Sequence, residues 1–198
     1  MRGGRRLSKY PNEQQCVTLL DRAGCSNRVI VHCCTVKAVA AEIAKRFDAD
    51  KELIVAGALL HDIGRAKDHT IMHAYAGAEM AQRLGLPDEL VKIIRKHTGA
   101  GLDEQDVEEM RLPKCDYIPR TIEEKIVAHA DNLVSDNRIV PHTHTVEKLR
   151  ARGHDRGADR VEALHRELSE VYGKDLDAVM SSFSASALVG LCAALARE

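Results

Sequence analysis

The sequence predicts an all-α fold, and three observations carry that expectation. Apolar residues recur at intervals of three and four along nearly the whole chain, the spacing of helices that bury one face. No segment shows a sustained period of two with β-branched residues, the mark of a half-buried strand. Punctuation falls where helices should stop and start: Gly24, Gly64, Gly85 and Gly99 follow periodic runs, and Pro87 and Thr121 stand at new ones.

In order, the periodicity places helices over roughly 12–23, 28–47, 50–63, 71–84, 87–97, 103–110, 121–135, 145–152, 156–173 and 183–196. The first is an ordinary amphipathic helix. In 28–47, His32, Val36, Val39, Ile43 and Phe47 form the apolar stripe, so His32 points inward. The segment 50–63 contains LIVAGALL, a buried helix that ends on the adjacent polar pair His61 and Asp62, with Gly64 as its stop. His73, Gly77, Met80 and Leu84 share a face of 71–84; Leu90, Ile93, Ile94 and His97 share one in 87–97; Val127, Asp131 and Val134 share one in 121–135. The segments 111–120 (RLPKCDYIPR) and 136–144 (DNRIVPHTH) read as loops that could wall a site. The segment SSFSASALVGLCAALARE is apolar over most of its circumference but too short for a membrane span, which leaves a buried helix or a homodimer contact.

A chain of 198 residues suits one domain. Residues 1–14 read as a flexible tail and 15–198 as the domain. Lys+Arg 29 against Asp+Glu 30 gives a formal net charge of -1, so there is no general attraction to duplex nucleic acid or anionic lipid, and an anionic substrate needs a local site. With no apolar span and no hydrophobic region of a signal peptide, the expected location is cytoplasmic. Six cysteines without a CxxC pair read as small thiols in a reducing compartment rather than a disulfide framework.

Ten histidines against two phenylalanines and no tryptophan is a lopsided inventory. A buried imidazole or carboxylate must be hydrogen-bonded, paired or bound to a metal. A single inward histidine is usually a satisfied core residue, and a lone Asp131 could be an internal cap. Four separate helices each bringing one inward His or Asp, and a fifth bringing His61 with Asp62, point instead to a metal centre. Imidazole and carboxylate suit divalent transition ions without any thiolate.

These residues resemble a known family. His32, HDIGR at 61–65, His73 in HAYAGAEMAQRLGLP, His97 in IIRKHTGAG and Asp131 in IVAHADNL, in that order and helical context, are similar to the HD-domain superfamily of metal-dependent phosphohydrolases, within it to small single-domain HDIG proteins common in archaea. The resemblance runs over about 16–140. It implies an HD-domain helical bundle, with a metal-binding core at 28–135 and C-terminal helices at 145–198. It implies that His32, His61, Asp62 and Asp131 match the four ligands of a one-metal site, and that His73 and His97 match the two added where the aspartate of the HD pair bridges two ions. The implied cofactors are one or two divalent transition metal ions: Mn, Fe, Co, Ni or Zn. Arg65 stands where relatives often carry lysine, so it is a candidate phosphate clamp, with bidentate rather than point-charge contact.

His69 is a candidate substrate contact if it shares the helix face of His73. His129 reads as structural, His142 and His144 as solvent-exposed, and Lys67 and Lys96 as solvated. The expected function is hydrolysis of a small nucleotide or other phosphoester by metal-activated water, with His61, Asp62 and Arg65 in the catalytic set. A 2′,3′-cyclic phosphodiester is the favoured substrate, ahead of a nucleoside monophosphate or dinucleoside polyphosphate. The GYP extension associated with cyclic di-GMP phosphodiesterases is not found in the sequence. The alternatives are a mixed-valent di-iron oxygenase on the same fold and a nucleotide-binding regulator without turnover.

Overall fold

The computed structural model describes residues 9–183. Ten helices order these residues: α1 Glu13–Ala23, α2 Asn27–Ile43, α3 Lys51–Leu60, α4 His73–Arg83, α5 Asp88–Lys96, α6 Glu104–Glu109, α7 Ile122–Asn132, α8 His142–Arg150, α9 Asp155–Tyr172 and α10 Leu176–Ser181. Two short 3-10 turns, Ala44–Arg46 and Ile63–Ala66, follow α2 and α3. Among the described residues the extended pairing is slight: strand β1 (Val134–Ser135) lies antiparallel to β2 (Arg138–Ile139).

Local chemistry starts most of these helices. Asn12 and Gln15 form a reciprocal capping box on α1, as Asp103 and Asp106 do on α6 and Thr121 and Glu124 on α7. Ser26, Asp50 and Asp175 cap α2, α3 and α10 through their side chains. Gly24 and Gly173 close α1 and α9 in the left-handed conformation.

The core forms where α2 packs on α3 and both pack on α7; α5 lies against α3 and α4, and α9 against α7 and α8. Helix α3 is buried nearly all round, including Ile54, Ala56, Ala58, Leu59 and Leu60 at 0% exposure, so its last turn delivers His61 and Asp62 to the centre of the molecule. Lys96 is buried rather than solvated: its ammonium lies 3.2 Å from Glu124 Oε2 and 3.1 Å from Asp116. Glu124 also accepts the backbone N–H groups of Arg120 and Thr121, so the buried charge pair ties α5 to the start of α7.

Several expected elements differ. Of the expected tail, residues 1–8 lie outside the described residues, whereas Tyr10 is buried and Asn12 caps α1. The helix expected over 50–63 ends at Leu60, because the chain tightens into the 3-10 turn that aims Asp62 and Arg65. Gly64 is therefore not a helix stop; it allows close packing of that turn on α4. Helix α4 buries His73, Ala74, Gly77, Ala78 and Ala81, while Leu84 is 51% exposed, so its apolar stripe is rotated towards small residues. Helix α7 stops at Asn132, and the expected loop 136–144 is instead a hairpin followed by the start of α8. Helix α10 falls in a stretch too short to show a helical stripe, and the helix expected over 183–196 lies outside the described residues except for Phe183, which is not helical. Cys16, Cys25, Cys33 and Cys115 are free thiols; Cys34 is disulfide-bonded, a departure from the reading of all six as thiols. No helix among the described residues is long and apolar enough to cross a membrane.

Candidate metal centre

The six residues expected as ligands come together. Asp62 lies in the middle, with its two oxygens facing opposite ways. Oδ1 is 3.2 Å from His73 Nε2 and 3.5 Å from His97 Nε2. Oδ2 is 3.7 Å from His61 Nε2 and 3.9 Å from His32 Nε2. Asp131 Oδ1 completes the second group, 2.9 Å from His32 Nε2 and 3.5 Å from His61 Nε2.

Every one of the four imidazoles presents Nε2 to this centre, and the reason is on the other side of each ring. Nδ1 of His61, His73 and His97 faces the carbonyl oxygen three residues earlier, Ala58 at 2.8 Å, Thr70 at 2.6 Å and Ile94 at 2.8 Å. Donation from Nδ1–H fixes the tautomer and leaves Nε2 as a lone pair, the arrangement seen around bound metals. His61 and His97 are the C-cap residues just after α3 and α5, so their rings also satisfy carbonyls that a helix end leaves without an intrahelical partner. His32 is held differently, by the carbonyl of Asp136 at 2.7 Å in the turn between β1 and β2.

His61 Nε2 and Asp62 Oδ1 are buried and lack hydrogen-bond partners. Orphaned acceptors at the centre of a neutral-imidazole and carboxylate set fit divalent transition ions, which would satisfy them. His32, His61, Asp62 and Asp131 could hold one ion; His73, His97 and the other oxygen of Asp62 could hold another.

The protonation pattern agrees. Burial would raise the carboxyl of Asp62, but His61, His73 and His97 outweigh it and hold the group well below the usual range. Burial is likewise outweighed at Asp131, by the hydrogen bond with His32 and the nearness of His61. Burial lowers His97. For His32 burial acts downwards, but Asp131 and Asp62 lift it from 6.5 to about 9. This has a measurable sign: in the metal-free chain the protonated His32 stabilises fully below about 6.5, a contribution lost as pH rises through about 9. Metal must displace that proton, so affinity should climb about tenfold per pH unit from 7 and level off near 9. Calorimetric titration in buffers of different ionisation enthalpy should show about one proton released per ion bound at pH 7.5; no proton release would contradict the state of His32.

Arg65 is less free than the sequence implied. Its Nε donates to Asp62 Oδ2 at 2.6 Å and Nη1 reaches the His69 carbonyl at 3.5 Å, leaving its other donors for a ligand. His69 lies in the turn before α4 rather than on the helix face of His73, and it is exposed at the wall of the same cavity. That cavity has a volume of about 920 Å³ and opens over His32, Asp62, His73 and Asp131. His129 is buried on the far side of α7, and His142 is partly buried against Asp177 instead of exposed.

Sequence reading missed the wall residues. Arg28, Lys148 and Arg152 bring positive charge to the mouth, and Asn132 holds the Gly99 carbonyl at 2.9 Å, fixing the loop after His97. Arg28 was findable, because it precedes His32 by one helical turn. Lys148 and Arg152 were not, since only the packing of α8 brings them round.

The fold and this site define an HD-type helical protein. A model of the family described as "HD domain" matches residues 29–136, and the chain belongs to that family. It is similar to a tRNA (cytidine(56)-2′-O)-methyltransferase of Picrophilus torridus, 43% identical over 177 residues, which are 89% of this chain and 52% of that protein. An uncharacterized protein of Methanocaldococcus jannaschii is 42% identical over 133 residues, 65% of this chain and 79% of that one. The chain thus spans about half the length of the methyltransferase relative. Among solved structures, the HD domain of the Listeria monocytogenes phosphodiesterase PgpH superposes with a TM-score of 0.55 at 17% identity, covering 84% of this chain and 97% of that one, a likeness of fold.

Proposed function

We propose that the protein is a metal-dependent phosphohydrolase with a two-ion centre, acting on a small nucleotide phosphodiester. One observation carries the reading: four imidazoles pre-aimed by backbone carbonyls converge on two ionised carboxylates at the floor of a cavity of nucleotide size. Divalent ions supply a water of lowered pKa and a charge that polarises the phosphoryl oxygens. Two carboxylates neutralise only half the charge of two such ions, so the site favours an anionic substrate. Asp131 is 24% exposed in its side chain and faces the cavity, which suits it to orient the attacking water. Arg65, fixed through Nε, offers its remaining donors to a non-bridging oxygen. Arg28 and Lys148 at the mouth can take a second phosphate or a neighbouring nucleotide.

Metal-stripped protein reloaded separately with Mn, Co, Ni, Fe, Mg or Zn should hydrolyse one class in a panel of 2′,3′-cyclic nucleotides, nucleoside monophosphates and dinucleoside polyphosphates, with His61→Ala inactive. Bound metal with no turnover of any substrate would overturn the proposal in favour of a di-iron oxygenase or a nucleotide-binding regulator. In Arg65→Ala, KM should rise about tenfold, the worth of one charged hydrogen bond, with a smaller change in kcat. Unchanged KM and kcat would remove Arg65 from the clamp role.

A second reading keeps the chemistry and changes the substrate to an RNA end. It is favoured by the cationic mouth and by the relative named as a tRNA methyltransferase. A short oligonucleotide ending in a 2′,3′-cyclic phosphate decides between them: preference over the mononucleotide, weakening steeply with salt, would support RNA.

A further inference from the structure

A second set of metal-binding side chains lies on the opposite side of α7 from the centre described above. His142 stands at the start of α8, His165 is in the middle of α9 and Asp177 is on α10, all three beyond the residues 29–136 that match the family. His142 Nδ1 is 2.8 Å from Asp177 Oδ2, and His165 Nδ1 is 4.0 Å from Asp177 Oδ1. One ligand atom from each residue falls within 4.8 Å of the other two.

We infer that His142, His165 and Asp177 form a second divalent-metal site, of zinc type, that fastens α8, α9 and α10 to one another. The 4.0 Å separation is too long for a hydrogen bond. It is close to the spacing of about 3.3 Å between two ligand atoms of a tetrahedral ion with bonds of about 2.0 Å. His165 is only 5% exposed, and its other nitrogen, Nε2, lies 3.3 Å from Asp175 Oδ2. A carboxylate behind a ligating imidazole is the usual way of holding the ring and raising its basicity. His129, fully buried on α7, hydrogen-bonds through Nε2 to His165 Nδ1 at 3.1 Å, a contact that an ion at this position would replace. The His142 and His165 rings are stacked, 3.7 Å between centroids and 12° from parallel, so binding tilts them apart. His142, whose side chain is 17% exposed, sits at the open edge where that movement meets least resistance.

The donor set of imidazole and carboxylate without thiolate suits zinc or cobalt over calcium or magnesium. An ion here would join α8, α9 and α10, which also contribute Val146, Leu164, Leu168, Leu176 and Met180 to the main core. Its work is structural, and the site does not open on the phosphate cavity through His142 or His165.

The test compares metal-stripped full-length wild type with Asp177→Asn, which keeps the shape and one acceptor oxygen for the His142 backbone N–H but removes the charge. After reloading with Zn²⁺ and desalting, elemental analysis should find one equivalent per chain more in the wild type. Zn²⁺ should also raise the melting temperature of His61→Ala but not of His61→Ala with Asp177→Asn. Co²⁺ should give the wild type intense visible bands of low-symmetry, four-coordinate cobalt that weaken in His142→Ala. Equal zinc content in the wild type, Asp177→Asn and His142→Ala, with circular dichroism showing all three folded, would overturn the inference. If His142→Ala loses helicity, the isosteric Asp177→Asn decides alone. Failure of the phosphohydrolase reading leaves this difference of one equivalent untouched, because none of the three side chains serves the other centre.

Discussion

Asp62→Asn is expected to abolish metal-dependent turnover and to strip the centre of metal while leaving helix content unchanged. Both oxygens of Asp62 are committed, Oδ1 to the His73 and His97 side and Oδ2 to the His32 and His61 side. An amide cannot bridge two cations, and its NH₂ would turn a donor towards one pair of imidazole lone pairs. Loss of a partner that merely orients a ligand costs about 10- to 100-fold in affinity or activity. Loss of the shared ligand should exceed that, so activity is expected to fall by more than about 100-fold, with both ions released together on elemental analysis. Wild-type activity in Asp62→Asn, or retention of the full metal content, would sink the assignment of Asp62 as the bridge. The same substitution frees Arg65, whose Nε now donates to Asp62 Oδ2, so any residual activity should show a changed KM as well.

Gly64→Ala should be the most destabilising single-methyl change in the molecule. A Cβ at position 64 would overlap the carbonyl oxygen of His73 and lie 2.6 Å from Gly77 N and 2.9 Å from Gly77 Cα. These are backbone atoms, which no rotamer change can move aside. The turn Ile63–Ala66 and the first turns of α4 must therefore separate, at a cost of about 3 kcal/mol. For a chain of this size that lowers the melting temperature by roughly 10 °C. The damage should reach the chemistry too, since Gly64 sits two residues after Asp62 and touches the residue that supplies a ligand. Thermal unfolding and metal titration on one preparation test both halves; an unchanged melting temperature would show that the two backbones are not packed as described. Gly77→Ala meets Gly64 N at 3.0 Å from the other side and should be milder.

The helical class and the inward placement of His32, His61, Asp62, His73, His97 and Asp131 were legible before any coordinates because they depend on period and residue type. His32 follows a stripe whose other members, Val36, Val39 and Ile43, are all at 0% exposure, and His97 shares its face with Leu90, Ile93 and Ile94. What could not be read was set by tertiary packing or by a competing local preference. Leu84 continues the spacing of His73, Gly77 and Met80 yet is half-exposed, because α4 approaches its neighbours through alanines and Gly77. Periodicity favours large residues and is blind to a close-packed face of small ones. The hairpin after α7 was hidden because its strands have two residues each, too few to display alternation, although Asp136–Asn137 is a turn signal. The expected reach of Arg65 over the site is shortened by its engagement with Asp62, which depends on a 3-10 turn that residue identity does not announce. His142 was assigned to solvent because its partner, Asp177, is 35 residues away on a helix that the sequence did not reveal.

The backbone carbonyls behind the ligands also determine how the centre can fail. His61, His73 and His97 take their aim from an oxygen three residues back, so each is correct as soon as its own helix end or turn exists. His32 borrows its aim from Asp136, 104 residues further along, in a two-stranded hairpin that is also tied to α2 by the exposed pair of Asp136 with Arg28. Three ligands thus behave as local cassettes that could be moved with a few residues of flanking chain, and the fourth is a long-range assembly. During unfolding, His32 is the ligand whose geometry should loosen first, and anything that grips Arg28 at the mouth pulls on the same hairpin. The cluster therefore has a stiff half and a compliant half, and both line the same cavity.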